Sequence, residues 1–113
     1  MKYIITLTFF LSTQLLFSQM ENGSYKFSNN NITLEFTIED DGWIISSAKV
    51  SNNQSKISFV GKGEYRSKDD YEWYEFQTNE CNYSFSLPIN KLTLEIFDCK
   101  NGSKSTEVIL ERK

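Results

Sequence analysis

The chain contains no histidine, a single proline, five glycines and only two cysteines. The missing histidine removes the usual general base and the commonest metal ligand. Ser-His-Asp and Cys-His arrangements are therefore excluded. A zinc site would have to use cysteine and carboxylates alone, and Cys81 and Cys99 lack the paired spacing of such sites. Glycine is too sparse for a phosphate-cradling loop, because Gly61-Lys62-Gly63 has neither the flanking residues nor the following helix. No cofactor and no metal are expected. An excess of positive charge is also absent: 12 basic residues face 15 acidic ones, a net charge of −3. Nucleic-acid binding needs a basic patch, so that class is excluded.

Long apolar runs are confined to the beginning. Residues 1–18 read MKYIITLTFFLSTQLLFS, with Lys2 ahead of an apolar stretch that Ser12, Thr13 and Gln14 interrupt. A positive start, a short apolar region and a small residue at Ser18 describe a secretory signal peptide. The stretch is too short and broken for a comfortable membrane span of about 20 residues. Cleavage after Ser18 is expected, leaving residues 19–113 as a single domain without a membrane span. Loss of Lys2 leaves 11 basic against 15 acidic residues, a mildly acidic and monomeric exported protein. Ten asparagines, and ten lysines against two arginines, fit an AT-rich bacterial genome. The destination is then the periplasm, the outer surface or the medium. The five Asn-x-Ser/Thr triplets, such as Asn82-Tyr83-Ser84, are read as chance in so Asn- and Ser-rich a chain.

What the remainder has in quantity is alternation. Ile32, Leu34, Phe36 and Ile38 alternate with Thr33, Glu35, Thr37 and Glu39. Ile57, Phe59, Gly61, Gly63 and Tyr65 share one parity, Tyr83, Phe85 and Leu87 another, and Leu92, Leu94 and Ile96 a third. A period of two marks half-buried strands. The two glycines on an inward parity mark a bend or a close approach of another backbone or a ligand. Strands are predicted over 23–28, 31–39, 43–51, 56–66, 71–78, 81–87, 92–98 and 105–112. Turn residues separate them, including Asn29–Asn31, Asp40-Asp41-Gly42 and Asn101-Gly102. Short connections favour antiparallel pairing of neighbours. The fold class is all-β, an eight-stranded meander closed or partly closed into a barrel, because closure removes exposed edges. A two-sheet sandwich is the alternative.

Cys81 and Cys99 follow the export signal, and in an oxidising compartment they are expected to bond. The apolar faces match only if residue 83 faces 96 and 85 faces 94, around the loop Pro88–Lys91. That register sets Cys81 opposite Asp98 rather than Cys99. A slip of one residue would turn every side chain to the wrong face. A bulge or other irregularity near Asp98–Cys99 is therefore predicted.

The acidic runs Glu39–Asp41 and Asp69–Glu72 lack the alternating ligand spacing of a calcium loop and read as polar turns. The densest aromatic stretch is Tyr71-Glu72-Trp73-Tyr74-Glu75-Phe76. On a strand, Tyr74 and Phe76 fit the core, which leaves Tyr71 and Trp73 on the opposite face with Tyr65 or Phe97 as neighbours. Trp43, at the start of the third strand, carries the same ambiguity. Exposed aromatics of this kind can bind a protein or a saccharide. They can equally be covered, or brace a barrel mouth. The expected function is a small exported binding or inhibitory module without catalysis, contacting its ligand through Tyr71, Trp73 and Trp43. A structural envelope protein is the alternative, and a carboxylate-dependent hydrolase comes third.

Overall fold

A computed structural model describes residues 19–113. The segment expected to be a signal peptide, 1–18, lies outside the described residues. Eight strands follow one another: β1 (Gly23–Ser28), β2 (Ile32–Glu39), β3 (Ile44–Asn52), β4 (Ser58–Lys68), β5 (Tyr71–Gln77), β6 (Asn82–Ser86), β7 (Lys91–Phe97) and β8 (Thr106–Arg112). Each pairs antiparallel with the next, and β8 returns to β1, so the sheet is a closed barrel. The barrel expected from the alternation is the one found, and the sandwich is not.

Alternation puts one apolar set inside. Phe27, Leu34, Phe36, Ile38, Tyr74, Phe76, Phe85, Leu94 and Leu110 are buried in one cluster. Aromatic rings fill the lumen. Phe36 lies 5.0 Å from Phe85, Phe85 lies 5.6 Å from Tyr74, and Tyr74 lies 5.5 Å from Tyr65, between ring centroids. Such offset and edge contacts are the arrangements that ring quadrupoles favour. The lumen is thus a packed core.

Two irregularities shape the barrel. In β3, Ile45 and Ala48 are both buried although three positions separate them. Ser46 and Ser47 lie between, and the register to both β2 and β4 shifts there. This bulge coils the sheet. Opposite it, Gly63 pairs with Ile45 and Gly61 with Ala48. A Cβ on Gly61 would stand 1.7 Å from the Gln77 carbonyl oxygen, and one on Gly63 1.9 Å from that of Glu75. The close backbone approach expected at these glycines is β5 folding onto β4. Ile57 departs from the expected parity. It precedes β4 in the turn and is 55% exposed.

Left-handed backbone marks the turns, at Asp40, Asp41 and Gly42 between β2 and β3 and at Asp69 between β4 and β5. Asp98 is also left-handed, at φ 50°. Tyr83 faces Ile96, as the apolar faces require. The twist at Asp98 then carries Cys99 back toward Cys81, and the Cys81–Cys99 disulfide forms. Lys100 N–H donates to the Glu80 carbonyl at 2.9 Å and holds the same corner.

One mouth of the barrel is stoppered by residues 19–22. Met20 N–H donates to the Tyr74 hydroxyl at 3.0 Å, and that hydroxyl donates to the Gly42 carbonyl at 2.7 Å. Gly42 N–H in turn donates to Asn22 Oδ1 at 3.2 Å. Gly42 has φ 93°, and a Cβ there would press on Gln19 and Met20, so the turn needs glycine on both counts.

Candidate functional site

The lumen being packed, ligand-sized space lies on the outside. The outer residues of β4–β8 line up across the sheet by register. Arg66, Trp73 and Ser86 form one row. Glu64, Glu75, Ser84, Glu95 and Glu107 form the adjacent one. Two adjoining clefts cross these rows, and Glu75 and Phe97 belong to both. The one nearer the β4–β5 turn holds about 460 Å³. Its apolar surface comes from Tyr71, Trp73 and Phe97, and its polar groups include Glu75, Ser84, Ser86 and Glu95.

Strand parity puts Trp73 here, because Tyr74 and Phe76 take the inward positions. Its indole is half-buried and fixed. Nε1–H donates to Glu75 Oε1 at 3.0 Å, while Arg66 Nε holds Glu75 Oε2 at 3.1 Å. Arg66 Nε also lies 3.0 Å from Glu64 Oε2. One guanidinium thereby bridges two carboxylates that face each other on β4 and β5, relieving the repulsion of like charges in register. Such an exposed network contributes little to stability. It does set the orientation of the indole. Tyr71 stands at the cleft's end, 76% exposed. Ser84 Oγ donates to Glu95 Oε1 at 3.2 Å on the far wall.

The structure brings Tyr71 and Trp73 together and adds Phe97. It does not bring Trp43 to them. The Trp43 ring meets Tyr65 edge-on at 5.3 Å, 52% exposed, and braces the stoppered mouth. Tyr65, considered a neighbour for Tyr71 and Trp73, instead faces inward and donates its hydroxyl to Glu72. The polar partners Glu75, Glu95 and Ser84 were not singled out from sequence. They lie on three separate strands, and only the register brings them to one cleft. The one local signal was their outward parity.

Chemically the cleft offers aromatic faces, hydroxyls and carboxylates. Among the described residues no group of three His, Cys, Asp or Glu side chains is arranged to hold a metal ion, and no helix is long and apolar enough to cross a membrane. Comparison with protein-family models, with curated proteins and with solved structures returns no match to this chain.

Proposed function

We propose that this protein is a small exported, non-catalytic binding module that takes its ligand on the outer cleft of β5–β7. The observation that carries the reading is the Trp73 indole. It sits on the outward side of its strand, oriented by Glu75 and Arg66, beside a Tyr71 that is 76% exposed. Packing needs neither a fixed outward indole nor a bare tyrosine next to it. Aromatic groups held rigid in a concave polar setting lose little entropy on binding and contribute large contact area. The disulfide supports export, since such bonds persist in oxidising compartments.

The alternative of a purely structural envelope protein is separable by experiment. A photo-crosslinking residue placed at Tyr71, and in a second variant at Ile57, is exposed to the exported fraction of the native cell. Ile57 is an exposed control outside the cleft. Adducts are expected from position 71 and not from position 57. Equal yields from the two positions, or none from 71, would overturn the reading.

A further inference from the structure

The cleft's charges name the chemistry of its occupant, granted the reading that the cleft is the binding site. The row that crosses it carries Glu64, Glu75, Glu95 and Glu107, with Ser84 as its only neutral member. Arg66 neutralises the first two, and Glu75 is further committed to the Trp73 indole. The other half of the row is different. Glu95 on β7 and Glu107 on β8 face each other directly in register. Among the described residues neither makes an ion pair. Like charges set opposite one another across a sheet destabilise it. An arginine at the equivalent place on the other side of the cleft shows how the chain resolves the same conflict internally, and at Glu95 and Glu107 it does not.

We propose that the cleft docks a basic protein segment, whose lysine or arginine groups complete the Glu95–Glu107 pair while an adjacent part of the segment lies against Trp73 and Tyr71. Charge complementarity selects this occupant over a neutral one. With Glu75 neutralised by Arg66, Asp69, Glu72 and Glu95 still line the cleft against a single Lys68, and Glu107 stands beside Glu95 at its edge on β8. The aromatic faces suit it too, because a cation over an indole or phenol ring is attracted by the ring quadrupole. The distances fit an extended chain. Glu75 and Glu95 are two strands apart, about 10 Å at the usual strand spacing, which is about three residues of extended peptide.

The test uses a variant, Trp43→Phe, in which Trp73 is the only indole among residues 19–113 and reports on the cleft by its emission. The probes are a synthetic peptide of repeated Lys-Ser-Gly units, the matching Glu-Ser-Gly peptide, and a neutral linear glucan hexasaccharide. The lysine peptide is expected to shift the Trp73 emission and the glutamate peptide to leave it unchanged. Affinity should fall several-fold as salt rises from about 20 mM to about 200 mM, since exposed charges are screened over that range. Glu95→Gln/Glu107→Gln should weaken binding by about tenfold. Both residues are exposed and mutually repulsive, so this variant keeps the fold, which circular dichroism verifies. Tyr71→Ser should weaken the peptide as well. Binding of the hexasaccharide in place of the lysine peptide overturns the basic class and leaves the cleft as a binding site. Lysine-peptide binding that is unchanged in Glu95→Gln/Glu107→Gln, or no response to the lysine peptide, overturns the inference too. The crosslinking at Tyr71 decides separately whether the cleft binds at all.

Discussion

Single residues hold this barrel where backbone meets backbone. Gly63 is the sharpest case. Its hypothetical Cβ would collide with Glu75 O at 1.9 Å and with Phe76 Cβ at 2.5 Å. Neither neighbour can retreat. Glu75 and Phe76 are paired on both sides, to β4 and to β6. Gly63→Ala should therefore cost well over about 3 kcal/mol, at the severe end for a single methyl, because a sheet register has to move. Loss of the cooperative thermal transition would be the direct sign. A Gly63→Ala protein that melts within a few degrees of the parent would show that β4 and β5 are farther apart. By contrast, Gly102 has open space around its Cβ position, although its φ of 81° still favours glycine.

At the scale of elements, the β6–β7 pair is the least continuous of the hairpins. Only Asn82, Tyr83 and Ser84 are paired to β7 in register, and the chain splays toward Pro88. The disulfide closes the end away from Pro88, next to these three pairs, so it clamps the short ladder that the two strands do form. Closing a loop of this length stabilises by about 3 kcal/mol. Cys81→Ser/Cys99→Ser should then melt roughly 10 °C below the oxidised parent, at a few degrees per kcal/mol for a domain of this size. Reductant should lower the parent's melting point and leave the variant's unchanged. A parent insensitive to reductant would remove the bond from any role in stability. The left-handed Asp98 belongs to the same corner, because it absorbs the residue by which Cys99 would otherwise miss Cys81.

For the whole molecule, which has no histidine, three tyrosines tie stability to alkaline pH. Burial raises the phenols of Tyr25, Tyr74 and Tyr83 above their ordinary value of 10.0. The Glu21 charge adds to this at Tyr25, while the hydrogen bonds from Met20 at Tyr74 and with Thr78 at Tyr83 oppose it. With the folded value above the unfolded one, the folded chain keeps protons that the unfolded chain releases. The stability these groups contribute is complete below pH 10.0 and is lost as pH rises through their folded values. Denaturant titrations from about pH 8 to about pH 11 should show that fall. Tyr83→Phe should fall less steeply than the parent, since one of the three phenols no longer titrates. Identical slopes would assign the alkaline loss to other groups. The thinnest joint of the barrel lies where it closes. β1 and β8 meet through two register pairs, helped by Asn29 Nδ2–H donating to the Ile109 carbonyl at 3.1 Å. Every other seam is a hairpin between neighbours in sequence, whereas this one joins the two ends of the described chain.

The alternation of Leu34, Phe36 and Ile38, and of Tyr83 and Phe85 against Leu94 and Ile96, determined that the chain folds as strands and which side of each is core, and the short connections made neighbours antiparallel. A two-residue period leaves no other way to bury those side chains. The same constraint fixed the β6–β7 register and required a kink before Cys99. The outward position of Tyr71 and Trp73 followed from Tyr74 and Phe76 going inward. The bulge between Ile45 and Ala48 was not legible, because Ser46-Ser47 reads as well in a regular strand. Nor was the parting of Trp43 from Trp73, since distance around a barrel depends on closure and coiling summed over every strand. Only the tertiary structure decided that Glu75, Ser84, Glu95 and Glu107 share one row. They come from four strands, and their meeting is set by register, a relation between segments that no single segment carries.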